Sequence, residues 1–203
     1  MRQVGDLTQF QTFLRALAAR SAQLLNATEL GRDLGLATNT VRAWISVLEA
    51  THQIALLRPY FANIGKRLVK TPKVYFTDVG LLCHLVGLRD AAHAAQGPMA
   101  GAIFETAVVS EILKHCRHRG EDTPLHFWRT ATGVEVDLLI DSQDGVIPIE
   151  AKATATPQPG MARNLLAFRA DLPRRTTDAY LIHAGDTRLP LAPHITAIPF
   201  GEF

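Results

Sequence analysis

Between Gly133 and Lys152 two apolar, β-branched runs, Gly-Val-Glu-Val-Asp-Leu-Leu-Ile and Val-Ile-Pro-Ile-Glu-Ala-Lys, flank the polar turn Asp-Ser-Gln-Asp-Gly. That pattern predicts a β-hairpin. Side chains alternate along a strand, so strict alternation places Glu135, Asp137 and Leu139 on one face and Val134, Val136, Leu138 and Ile140 on the other. In the second run Pro148, Glu150 and Lys152 point one way and Ile147, Ile149 and Ala151 the other, with Glu150 and Lys152 roughly 7 Å apart. Both strands therefore carry charge where a plain core strand would not.

Ionised groups are costly to bury unless they are paired or bind metal. Phosphodiester hydrolysis supplies one reason for the pattern. Two carboxylates can hold Mg²⁺ or Mn²⁺ through oxygen ligands, the ion acidifies a bound water, and a nearby ammonium positions that water or stabilises developing charge. The order Asp137, then Glu150-Ala151-Lys152, resembles the Asp and Glu-Xaa-Lys motif of the restriction-endonuclease-like nuclease superfamily. The same charges also admit a structural pair of Lys152 with Glu150 or Asp137 at a sheet edge.

A chain of 203 residues with 47% apolar residues allows one large or two small domains with real cores. Cys83 and Cys116 lie far apart without metal or disulfide spacing, which fits a reducing cytoplasm. With no membrane-span-length apolar run and no signal-peptide pattern, the chain reads as soluble and intracellular, with no membrane partner. Residues 1–88 hold ten Lys/Arg against five Asp/Glu, and residues 89–203 eleven against fourteen. This asymmetry divides the chain into a basic module suited to phosphates and an acidic one suited to cations.

The basic module begins with a helix capped by Asp6, with Leu7, Phe10, Phe13, Leu14 and Leu17 as its apolar stripe. Asn26 caps a second helix that Gly35 ends, and Thr38 caps a third whose inner residues are Val41, Trp44, Ile45 and Leu48. Two short helices joined by a tight turn form a helix-turn-helix, with Asn39, Thr40 and Arg42 placed for a DNA major groove. Strands at Ile54 to Pro59 and Lys73 to Phe76, with Lys66, Arg67 and Lys70 in the loop between them, resemble the wing of a winged-helix domain. Winged helices also serve as protein-contact modules, and the basic loop residues admit a purely solvated role. A helix capped by Asp78 closes this module at residue 88.

Residues 89–98 show little periodicity and end in turn residues, which predicts a linker. A long helix over about Met99 to Arg119 follows, its stripe of Gly101, Phe104, Val108, Val109 and Ile112 interrupted by Glu105. Such a carboxylate is a cap, the partner of a buried Arg, or a site residue, and a candidate metal site in the same domain gives the last reading weight. His115, Cys116 and His118 lack a matching second pair, so no metal is assigned to them. Leu125 to Arg129 leads into the hairpin as an antiparallel meander. A helix over Met161 to Ala170 and strands at Ala179 to His183 and Ile195 to Ile198 complete an α/β, mixed-sheet domain over residues 99–203. Its element order matches a restriction-endonuclease-like core, in which Arg163 or Asn164 is placed to add a polar group and His183 reads as a strand-end residue.

Taken together, Gly65-Lys66-Arg67-Leu68-Val69-Lys70-Thr71-Pro72-Lys73-Val74-Tyr75-Phe76-Thr77-Asp78-Val79-Gly80, Phe104-Glu105 and Val134-Glu135-Val136-Asp137-Leu138 carry a resemblance. Over about Phe13 to Arg169 the chain resembles the C-terminal region of bacterial and archaeal AAA-type ATPases of unknown function. The resemblance implies a winged helix joined to a nuclease-like domain, normally preceded by a nucleotide-binding domain. Gly65-Lys66 is followed by Arg67 rather than Ser or Thr and has no glycine five residues before it, so no ATP site is expected in this chain. A chain of this kind is then the separated back half of such a protein or a shortened form of it. The resulting expectation is a DNA-associated, metal-dependent nuclease-like module, with RNA as the other nucleic acid in play. Glu105, Asp137 and Glu150 are its acidic ligands for Mg²⁺ or Mn²⁺, and Lys152 is its catalytic cation. A non-catalytic regulatory or interaction module with the same fold is the alternative.

Overall fold

Short side chains with lone pairs start the helices where the sequence places them. The computed structural model describes residues 6–60, 70–120 and 124–202. Gln9 N–H donates to Asp6 Oδ1 at 3.0 Å, opening α1 (Leu7–Ala18). The N–H groups of Thr28 and Glu29 donate to Asn26 Oδ1 at 3.2 and 3.1 Å, opening α2 (Ala27–Leu34). Each cap satisfies backbone donors that a helix N-terminus leaves without intrahelical partners. Gly35 closes α2 in the left-handed conformation, φ 65°. The cap expected at Thr38 lies elsewhere: Ala37 is the extended residue before α3 (Thr38–Ala50), and no side chain caps it. Thr40 and Val41 N–H groups reach the Ala37 carbonyl, which places Thr38 already inside the first turn.

The chain divides into two compact units, residues 1–56 with 71–110, and residues 57–70 with 111–203. Of the three chain crossings, two fall inside an element, the strand β2 (Ile54–Pro59) and the helix α6 (Ala100–His118), and the third falls between Lys70 and Thr71, just before the strand at Lys73–Phe76. None falls in the expected linker, which holds a short helix, α5 (Ala91–Gln96), capped by Asp90 through His93 N–H at 2.8 Å.

In the first unit Trp44 of α3 meets the rings of Phe10 and Phe13 of α1, each at 5.2 Å between centroids. Leu30, Val41, Ile45, Leu48 and Leu82 complete that core, Leu82 from α4 (Val79–Leu85). A two-residue strand, β1 (Gln23–Leu24), pairs antiparallel with β3 (Lys73–Phe76). It is too short to leave a periodic signal.

The second unit carries a mixed sheet. The end of β2 runs parallel to β4 (Leu125–Arg129) through Arg58↔His126 and Pro59↔Phe127. The strands β4, β5 (Glu135–Ser142) and β6 (Gly145–Lys152) form the expected antiparallel meander. Beyond it β6, β7 (Ala179–His183) and β9 (Ile195–Pro199) are parallel, and β8 (Leu189–Ala192) closes the edge antiparallel to β9. Pro190 hid β8 from sequence inspection, and an edge strand is where proline is tolerated. The helix α7 (Arg163–Asp171) covers one face: Phe168 stacks edge-on against Trp128 at 5.3 Å and joins Leu165, Val136, Leu139 and Leu181 in one core. Among the described residues the class is mixed α/β, with nine strands and seven α-helices.

Candidate functional site

Strict alternation along β5 fails at the residue that matters most. His126 pairs with Leu139 and Trp128 with Val136, so between these pairs Phe127 of β4 opposes two residues of β5, Asp137 and Leu138. The extra residue is a bulge at Asp137–Leu138, and it puts Val136 and Leu139 into the same core cluster. The expected face shared by Glu135, Asp137 and Leu139 is therefore broken, because pairing with β4 overrides the local period of two.

Past the bulge the hairpin opens. Its paired register runs from Ser142↔Gly145 to Leu138↔Ile149. At the open end Ala151 N–H donates to Asp137 Oδ2 at 2.9 Å, so an acidic side chain takes a backbone donor of the neighbouring strand. Asp137 is 8% exposed and Glu150 2%. Carboxylate oxygens of Glu135 and Asp137 approach within 4.8 Å. Glu135 also accepts from Arg129 Nη1 at 2.8 Å, across the β4–β5 pair.

Glu150 is the electrostatic centre of the group. Lys152 Nζ donates to its Oε1 at 2.7 Å, and Asn164 Nδ2 to the same oxygen at 3.4 Å. Burial, and then the neighbouring Asp137 carboxylate, push its pKa up to about 8 against the opposing pull of Lys152 and Asn164. Its second oxygen, Oε2, is buried without a hydrogen-bond partner. The Lys152 side chain is 37% exposed, so its ammonium stands between the buried acid and solvent.

Asp137, Glu150 and Lys152 thus come together, and from α7 Asn164 joins them while Arg163 is exposed. Glu105 belongs to the first unit. There its Oε1 accepts from Lys73 Nζ at 2.7 Å and Tyr75 OH at 2.6 Å, with Lys73 3% exposed. Asn39 and Arg42 lie exposed on α3, Thr40 is half-buried, and Lys70 is exposed. Lys66 and Arg67 lie outside the described residues. Two residues near the site were undervalued from sequence. Glu135 was readable as a second acid on the same strand as Asp137, whereas the burial of His183 had no local signal.

Residues 100–203, which contain all of these second-unit groups, match the model described as a domain of unknown function, DUF4143. The chain belongs to the DUF4143 family. Residues 1–92 match another domain of unknown function, DUF8612, and the break between the two models falls against the sequence-predicted linker. This DUF4143 chain is 31% identical over 202 residues to two uncharacterized proteins, Rv2008c of Mycobacterium tuberculosis and Mb2031c of Mycobacterium bovis. The alignments take in 98% of this chain and 44% of each relative, so the chain spans less than half their length. No solved structure matches it. No helix among the described residues is long and apolar enough to cross a membrane.

Proposed function

We propose that the second unit of this DUF4143 chain is a metal-dependent nuclease-like module, and that the first is a winged helix-turn-helix bringing it to DNA. One observation carries the reading: Glu150, almost wholly buried beside a second carboxylate, has its pKa pushed up to about 8 and one oxygen without a partner. Adjacent buried acids resist ionising together unless a cation compensates them. The nearby donors are oxygens with no thiolate among them, which fits Mg²⁺ or Mn²⁺. Asp137 and Glu150 would hold the ion, with Glu135 beside them. When bound, such an ion supplies Lewis acidity and acidifies a water ligand.

The chain's own residues supply the rest. Ala151 N–H fixes Asp137, Asn164 and Lys152 orient Glu150 Oε1, and the part-exposed Lys152 ammonium is placed to stabilise charge developing on a phosphate. In the first unit the α2–turn–α3 arrangement, with exposed Asn39 and Arg42, supports groove contact. Thr40 flanks them, and Lys66, Arg67 and Lys70 are the phosphate-contacting candidates. The further length of the mycobacterial relatives leaves room for the AAA-type ATPase domain that the resemblance implies as a partner.

The test is incubation of the purified chain with supercoiled DNA, linear DNA and RNA in Mg²⁺, Mn²⁺ or chelator, alongside Asp137→Asn. Metal-dependent cleavage that disappears in the variant supports the reading. Absent cleavage together with no Mn²⁺ binding by calorimetry overturns it in favour of a non-catalytic interaction module. The 2.7 Å Lys152–Glu150 pair is the observation on that side, since it neutralises the acid without any metal.

A further inference from the structure

His183 ends β7 in parallel register with Lys152 of β6, while Leu181 faces Glu150. In-register residues of neighbouring strands share a face, and so do residues two apart on one strand. Glu150, Lys152 and His183 therefore lie on one face of the sheet, with Glu150 and His183 as diagonal neighbours about 7–8 Å apart at Cα. His183 is 0% exposed.

Its two nitrogens differ. Gly185 N–H donates to Nδ1 at 3.1 Å, and a nitrogen that accepts carries no proton. The neutral ring must then be protonated at Nε2, which disqualifies Nε2 as a metal ligand and makes it a donor. Nε2 is buried without a partner, as is Glu150 Oε2. A buried donor and a buried acceptor, both unmatched on one face and two residues apart in register, call for a common partner. The following loops hold the imidazole in place. Ala184 N–H donates to the Thr154 carbonyl at 2.9 Å, and any Cβ on Gly185 would collide with the Ala155 carbonyl oxygen.

We infer that His183 is a positioning residue of the carboxylate site: its Nε2–H, through one bound water, holds Glu150 Oε2 while Lys152 and Asn164 hold Oε1. Only the consequence for metal affinity rests on the cation reading of Asp137 and Glu150. The hydrogen-bonded arrangement does not.

Nitrogen-15 histidine NMR on the full chain tests the arrangement itself. The His183 ring is expected as the Nε2–H tautomer with a slowly exchanging proton, and Glu150→Gln should move that resonance. An Nδ1–H or doubly protonated ring, or a resonance indifferent to Glu150→Gln, overturns the inference. Two substitutions then separate the ring's ends. His183→Asn keeps an acceptor near the Nδ1 position and removes the donor, whereas His183→Gln keeps a donor near the Nε2 position and removes that acceptor. Mn²⁺ affinity should fall about 10- to 100-fold in the Asn variant and stay near the parent's in the Gln variant. The opposite order, or equal losses, makes His183 a strand-end cap and overturns the proposal. If the parent binds no Mn²⁺, the cation reading fails and the resonance shift alone decides the role of His183.

Discussion

Asp137 Oδ2 accepts the N–H of Ala151 at 2.9 Å, a side-chain bond to the neighbouring strand just past the last paired residues of the hairpin. The contact separates two roles in one carboxylate, because an amide can accept that hydrogen bond but is a poor ligand for a hard cation. Asp137→Asn should therefore leave the urea midpoint near the parent's while abolishing Mn²⁺ binding and any cleavage. Asp137→Ala also leaves a buried N–H unmatched and should cost about 1–3 kcal/mol of stability. If the two variants prove equally stable, the Ala151 contact contributes nothing to the fold.

Glu105 makes a contrasting prediction. Its carboxylate takes both Lys73 Nζ and Tyr75 OH inside the first unit, and Lys73 is 3% exposed. Removing one partner of a buried ion pair typically costs roughly 3–5 kcal/mol. Glu105→Gln should approach that loss in the metal-free chain. Denaturation in chelator measures it, and an unchanged or raised midpoint would show that this ion pair contributes nothing to the fold.

What could be read from the sequence was local. Asp6, Asn26 and Asp78 each accept from the helix they were expected to cap, and the hairpin strands fall where apolar runs flank a polar turn. The bulge at Asp137 was hidden because it exists only against β4, one residue of which stands against two. Likewise, nothing near His183 in sequence reveals that β6 will lie beside β7 and bury the ring. Asn164 was one of two candidates on its helix. Helical phase decided between them, turning Asn164 inward and leaving Arg163 exposed.

The basic loop carries a separable prediction. If Lys66, Arg67 and Lys70 each contact a phosphate, replacing all three with Ala should reduce the slope of log affinity against log salt by about 2–3. Fluorescence anisotropy on a DNA duplex across a salt series reads this directly. An unchanged slope makes the loop ordinary solvated surface.

The raised pKa of Glu150 fixes a direction for stability against pH. Its carboxyl titrates at about 8 in the folded chain, against 4.5 for its ordinary value. Between those values the folded chain holds a proton that the unfolded chain has released. The stabilising contribution is thus complete below about 4.5 and lost as pH rises through about 8. In chelator, the parent's urea midpoint should fall across this window relative to Glu150→Gln, which has no proton to exchange. A flat difference between the two would show that Glu150 titrates normally. Mn²⁺ must displace the same proton, so affinity should climb with pH up to about 8.

Lys152 tests whether the cluster works as a unit. Its ammonium lies 2.7 Å from Glu150 Oε1 and pulls the Glu150 pKa down, opposing burial and Asp137. Lys152→Ala therefore acts on metal binding in two opposite ways. Well above the Glu150 titration the acid is ionised with or without Lys152, and removing a competing cation should hold or raise Mn²⁺ affinity. Near neutrality the same substitution lets Glu150 keep its proton more tightly, so Mn²⁺ affinity should fall and its pH profile should move to higher pH. Cleavage should drop by roughly 10²–10³ at every pH if the ammonium stabilises charge in the transition state. Because these groups share one site, adding Asp137→Asn should leave the double variant little worse than the worse single one. Calorimetry with Mn²⁺ at two pH values and nicking of supercoiled DNA measure both effects. Equal loss of Mn²⁺ affinity at both pH values would mean that Lys152 merely supports the strand end.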